Sequence, residues 1–208
     1  MMAATEPGGE TLAEAIVRMG GRRDCLPGPM KATGDLAAYV ELHIEQARVL
    51  EAEDLSIGVV TGIVGIDRQR IVVEGRADHA GATPMHLRRD ALVCASRLIE
   101  WIAERAADLA QEPEGFVATV GVISAQPNAA NVVPGRVEMV VEYRSLSKDL
   151  HRRFEDELSA HTARMAAETG LRIDTSLISR AASALCDRSV MDAMRGACEA
   201  AHLSFKEM

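Results

Sequence analysis

The chain has 208 residues, 48% hydrophobic and 26% charged, enough for one large domain or two smaller ones with a buried core. A formal net charge of −8 and 3% aromatic residues argue against a nucleic-acid partner, which would need a basic footprint and stacking platforms. No apolar run approaches a membrane span and no charged-then-apolar leader opens the chain, so no membrane partner and a cytoplasmic location are expected.

In chain order, residues 1–9 are small, polar and Gly-rich, the composition of a disordered start. Thr11 to Met19 predicts a short helix, with Thr11 as N-cap, Glu14 at capping-box spacing and Gly20 at its end. The Gly/Pro/Arg-rich stretch 20–35 reads as loop. Leu36 to Gln46 is ambiguous at its start. From Val40 apolar and polar residues alternate as in a strand, with Glu41, His43 and Glu45 on one face. Gly58 to Gly75 is rich in Val and Ile and reads as strand. It leads into Gly75-Arg-Ala-Asp-His-Ala-Gly-Ala-Thr-Pro84, a turn that holds His79 among Gly75, Gly81 and Pro84. Glycine permits backbone conformations that other residues avoid, and proline fixes a helix entry.

Arg88 to Leu109 is helical, with Leu92, Ala95, Leu98, Ile99, Ile102, Ala106 and Leu109 at three-to-four spacing. Phe116 to Ser124 predicts a strand, 126–135 a turn-rich connection, and Arg136 to Arg144 another strand. Ser147 then caps a helix carrying Leu150, Phe154, Leu158 and Met165, which Gly170 ends. Leu171 to Leu177 is a last strand, and 187–203 a further helix. The order strand–helix–strand–strand–helix–strand over about 66–178 predicts an α+β fold with a ferredoxin-like (βαββαβ) layer, its helices on one face of an antiparallel sheet. The four cysteines show no C-x-x-C spacing. Cys94 reads as a small core residue, and Cys198 similarly.

Four residues stand out chemically. His43, between two glutamates, can ligate a metal with carboxylate support. His79 sits in a turn where an imidazole can face a ligand. The Asn131 amide can donate and accept at once. Arg144 ends a strand with a fork suited to a carboxylate or ureido oxygen. Each also has a plainer reading: a solvated strand face, a loop histidine, a turn residue bonding its own backbone, a surface charge. No self-sufficient active site emerges, since a hydrolytic metal site needs about three protein ligands. His86, His151, His161 and His202 do not supply them, and no Gly-rich phosphate loop is present.

Three ordered motifs nevertheless resemble one family: Glu41-Leu-His-Ile-Glu-Gln46 with Val49-Leu-Glu51, then Gly75-x-Ala-Asp-His-Ala-Gly-x-Thr-Pro-Met85 with Arg88-Arg-Asp-Ala-Leu92, then Asn131-Val-Val-Pro-Gly-Arg-Val137. Together they are similar to the N-carbamoyl-L-amino-acid hydrolases, allantoate amidohydrolases and beta-ureidopropionases of the metal-dependent aminoacylase/carboxypeptidase group. The resemblance implies a catalytic domain with two divalent metal ions, zinc or manganese, and an inserted ferredoxin-like lid that forms a homodimer. Carried over, His43 is a metal ligand and Gln46 a substrate contact. His79 is a lid histidine that enters the partner subunit's site and stabilises the oxyanion, while Asn131 and Arg144 hold the substrate's carboxylate or ureido group. The reaction implied is hydrolysis of a linear C–N bond in a small carbamoyl or ureido substrate by metal-bound hydroxide.

The division implied is 1–62 as a partial catalytic segment, 63–180 as the lid and 181–208 as a partial catalytic helix. The family's other metal ligands and its general-base glutamate find no match here, so the chain is expected to be an internal fragment, a truncated reading frame or an excised lid that does not retain the ions alone. Gln46 is followed by Ala47-Arg48 where the family has Gly-Pro, and Ala does not take a positive φ cheaply, so a different loop is expected. His86 and Ser145 also depart, from an acidic residue and a histidine. Three roles follow: part of a metal-dependent amidohydrolase, a non-catalytic dimerisation module, and a ferredoxin-like regulatory or RNA-binding domain, the last disfavoured by charge and scarce aromatics.

Overall fold

The computed structural model describes residues 9–25 and 34–208, so residues 1–8 of the disordered start expected for 1–9 and residues 26–33 of the loop at 20–35 lie outside the described residues. It divides into two compact units, 1–46 and 47–208, each taken by itself.

In the first unit, α1 (Leu12–Arg18) begins as the sequence predicts. The Thr11 hydroxyl accepts from the Glu14 amide at 3.3 Å, and the Glu14 carboxylate accepts from the Thr11 amide at 2.8 Å. These reciprocal bonds satisfy donors that the first turn leaves free. The expected strand at 40–46 does not form. The segment has no ladder partner among the described residues, and Leu42 and Ile44 are 92% and 76% exposed. Alternation yields a strand only where a neighbour takes its amides and carbonyls and covers its apolar face.

The second unit runs α2 (Val49–Ala52), β1 (Ile57–Val59), β2 (Gly62–Ile63), β3 (Gly65–Glu74), β4 (Asp78–His79), α3 (Ala91–Leu109), β5 (Val117–Gln126), β6 (Val132–Val133), β7 (Arg136–Ser145), α4 (Lys148–Thr169), β8 (Arg172–Ala181), β9 (Ala184–Leu185), α5 (Arg188–Ala200) and β10 (Phe205–Glu207). Its centre is a four-stranded sheet in the order β5-β7-β3-β8, every neighbouring pair antiparallel. The period-2 alternation sends Val137, Met139, Val141 and Tyr143 of β7, with Ile71 and Val73 of β3, to one face. There they pack against Leu98, Ile102 and Leu109 of α3 and Leu150, Phe154 and Leu158 of α4, all buried. Cys94 and Cys198 are buried, as expected. The opposite face is charged: Arg68 pairs with Glu142, Arg70 with Glu138, and Arg136 with Glu74.

The two long helices end where their capping residues dictate. α3 starts three residues after the predicted Arg88, because Asp90 caps it by accepting from the Leu92 and Val93 amides at 2.9 and 3.1 Å. Gly170 closes α4 in the left-handed region at φ 68°. Three short pairings went unseen in the sequence: β1 with β10 in parallel, and β2 with β9 and β4 with β6 antiparallel. Runs of two or three residues are too short to display a period. Among the described residues no helix is long and apolar enough to cross a membrane.

Candidate functional site

The turn around His79 is built from backbone contacts. β4 leaves the end of β3 and pairs with β6, Asp78 opposite Val133 and His79 opposite Val132. The Ala80 amide then donates to the Asn131 carbonyl at 2.9 Å, so His79 and Asn131 share the tip of one ribbon. Both side chains are exposed. Gly75 and Gly81 do not use the positive φ that glycine permits. Gly75 is instead required for close approach, since a Cβ there would lie 2.0 Å from the Arg89 carbonyl oxygen. Pro84 precedes a short 3-10 turn, Met85–Leu87, and the entry into α3 belongs to Asp90.

The imidazole of His79 has a defined donor and acceptor. Its Nδ1 accepts from the amides of Gly81 and Ala82, both at 3.1 Å. An atom that accepts two N–H groups carries a lone pair, so the neutral ring bears its proton on Nε2. The exposed edge of His79 therefore offers an N–H donor, the group that a carbonyl oxygen gaining negative charge requires. Arg88 underlies the turn: its Nε donates to the Thr83 carbonyl at 3.0 Å and its Nη2 to the Ala80 carbonyl at 2.5 Å. The motif contains Arg88, but nothing in spacing or periodicity assigns it this part.

Arg144 stands elsewhere. It lies on β7 opposite Ile66 and Val117, at the end of the sheet remote from the β4–β6 ribbon, which follows the Glu74/Arg136 end. The eight steps from Arg136 to Arg144, at about 3.3 Å each, span roughly 26 Å. Its guanidinium donates to Glu142 from Nε at 2.7 Å and pairs with it from Nη2 at 2.5 Å. Arg144, and then Arg68, hold the Glu142 carboxyl below the usual carboxylate range. The structure thus brings His79 and Asn131 together and leaves Arg144 far along the sheet.

In the first unit His43 is exposed, and its Nδ1–H donates to the Ile44 carbonyl at 2.6 Å. That leaves the Nε2 lone pair outward, as in histidines that bind a metal while their other nitrogen is tied to a carbonyl. One such donor does not make a centre, and among the described residues no three His, Cys, Asp or Glu side chains converge as a metal site. The described residues therefore do not fit a two-ion centre. Gln46 has φ 58°, so the left-handed residue is Gln46 itself and not Ala47. For a non-glycine residue that costs about 1 kcal/mol.

A family model described as "Peptidase dimerisation domain" matches residues 61–169. An N-carbamoyl-L-amino acid amidohydrolase of Geobacillus stearothermophilus is 38% identical over 191 residues, 92% of this chain and 46% of that protein. An allantoate amidohydrolase of Escherichia coli is 32% identical over 180 residues, 86% of this chain and 43% of that protein. A crystal structure of a hydantoinase/carbamoylase-family amidase from Burkholderia multivorans superposes with TM-score 0.86 and 34% identity, covering 100% of this chain and 49% of that one. The chain spans about half the length of the curated relatives it matches.

Proposed function

From the premise that this chain belongs to the peptidase dimerisation-domain family, among the N-carbamoyl-L-amino-acid and allantoate amidohydrolases, we propose that it supplies the substrate-clamping lid of such an enzyme. The substrate is a small carbamoyl or ureido compound, and the bond cleaved a linear C–N bond. In this reading 63–180 is the lid, ferredoxin-like in its β-α-β-β-α-β order, and 1–62 and 181–208 belong to the catalytic domain. The observation that carries it is the Nε2–H of His79, exposed beside Asn131 on one ribbon. That donor polarises the scissile carbonyl and stabilises its oxygen as charge develops. The Asn131 amide binds the ureido group, Gln46 contacts the substrate, and Arg144 takes the carboxylate through a planar two-donor fork.

The roughly 26 Å between the two ends of the sheet far exceeds a carbamoyl amino acid. One substrate therefore meets His79 and Asn131 of one protomer and Arg144 of its partner, which makes a homodimer part of the site. The edge strand β5 supports a second copy, since Val117–Gln126 contains no charged residue, with Val117 60% and Val122 58% exposed. The other edge, β8, carries Arg172, Asp174 and Arg180, charges of the kind that discourage edge pairing.

The resemblance gives His43 to a centre of two zinc or manganese ions. One imidazole does not hold two ions, so no step of hydrolysis runs through this chain's residues alone, and the isolated chain is inactive in this reading. The test is a chimera in which this chain replaces its matched segment of the Geobacillus stearothermophilus relative. His79→Ala there should lower kcat by around a hundredfold, and Arg144→Ala should chiefly raise KM for carboxylate-bearing substrates. An unchanged kcat in the His79 variant would sink the oxyanion role. A second reading, favoured by the match to a dimerisation domain, is a non-catalytic dimerisation module. Stoichiometric metal and turnover by the isolated chain would rule it out.

A further inference from the structure

The motif contains an arginine, Arg88, for which the reading above has no use. It is half-buried beneath the His79 turn. Its fork holds two carbonyls, Thr83 at 3.0 Å and Ala80 at 2.5 Å, which bracket the two amides that donate to His79. The Ala80 carbonyl and the Gly81 amide belong to one peptide group. That group is planar, with its C=O and N–H on opposite sides. Fixing the Ala80 oxygen against Arg88 therefore aims the Gly81 N–H, and this hydrogen points at Nδ1 of His79. Among the described residues the Gly81 amide makes no backbone bond, while the Ala82 amide is shared between Nδ1 and the His79 carbonyl at 3.2 Å. The Gly81 peptide is thus the one whose orientation depends on the histidine ring and on Arg88 together.

We infer that Arg88 is a positioning residue that, through the Ala80–Gly81 peptide, holds His79 in its Nε2–H tautomer with the donor facing outward. The consequence for catalysis rests on the oxyanion role of His79; the device itself does not. Arg88 touches no substrate in this scheme. Its part is to keep a neutral imidazole from presenting a lone pair where a donor is needed. Lysine is a poor replacement, because a point charge on a flexible stem does not hold two carbonyls in the geometry of the planar fork.

The test uses the 208-residue chain. Long-range nitrogen–proton NMR at a pH where His79 is neutral reads its tautomer, and amide hydrogen exchange reads the Gly81 N–H. The unaltered chain should display Nε2–H as a single form, with Gly81 protected. In Arg88→Ala and Arg88→Lys, Gly81 should exchange roughly tenfold faster or more, and the ring should become a mixture of tautomers, with the sheet amides unchanged. Arg88→Lys retains the charge and the apolar stem, so it remains informative should the alanine variant unfold. Gly81 protection and a single tautomer persisting in Arg88→Lys would overturn the inference, as would a mixed tautomer in the unaltered chain. Neither readout involves turnover, so a failed His79→Ala kinetic test would remove the oxyanion role and leave this result standing.

Discussion

A β-carbon on Gly75 would lie 2.0 Å from the carbonyl oxygen of Arg89 and 3.2 Å from the amide of Ala91, backbone atoms at the entry to α3 that do not swing aside. Gly75→Ala should therefore destabilise the chain by about 2–3 kcal/mol, through overpacking and loss of the Arg76 amide bond to Arg89. Urea unfolding measures this, and a loss under about 0.5 kcal/mol would mean that the two backbone segments separate cheaply. The same residue marks how far single positions were legible. A glycine before the His79 turn signalled a special backbone, but whether by positive φ or by close approach depends on a chain segment fourteen residues away. His79 and Asn131 were likewise recognisable as residue types in a motif. The tautomer of His79 was not, because it follows from where two amide hydrogens point.

Elements with many periods were read to within a few residues, and short ones were missed. α4 announced both ends through Ser147 and Gly170, while the two-residue strands β4 and β6, which carry the candidate site, offered no pattern. The converse error came at 40–46, where a good alternation joins no sheet among the described residues. Packing between elements was also invisible beforehand. Trp101 of α3 stacks on His161 of α4 with ring centroids 4.2 Å apart and planes within 9°. Arg164 approaches Nδ1 of the same ring at 2.7 Å. Burial first, and then the charge of Arg164, lower the His161 pKa below its ordinary 6.5. Above about pH 6.5 the ring is neutral folded or unfolded, and its packing is fully available. As pH falls below that value the unfolded chain takes up a proton that the folded ring resists, so stability is lost until the folded pKa is passed. His161→Phe retains the stack without the titration. Its melting temperature should fall less than that of the unaltered chain between about pH 7.5 and about pH 5.5, and parallel losses would mean that other groups carry the effect.

At the scale of the whole molecule, the sheet itself decides which residues of one chain can stand together. From Arg136 to Arg144 β7 is paired on both sides, so the separation between the His79–Asn131 ribbon and Arg144 is fixed by ladder geometry and not by loop conformation. The order of strands and helices was legible from periodicity, and the resemblance offered His79 to a partner's site, but this separation was not legible, because a motif does not state how far apart in the fold its residues stand. A dimer in which each site takes Arg144 from one chain and His79 from the other makes a sharp prediction. In the active chimera, His79→Ala and Arg144→Ala homodimers should each be defective. When the two are unfolded together and refolded, half of the dimers formed at random should be mixed, and each mixed dimer contains one site with both residues intact and one with neither. Activity should then recover to about a quarter of that of the unaltered enzyme under conditions where the two defective homodimers contribute little. If His79 and Arg144 of one chain served the same site, every site in the mixture would lack one residue, and refolding would restore nothing. The measured recovery thus assigns the residues to protomers, which the fold of one chain does not do alone.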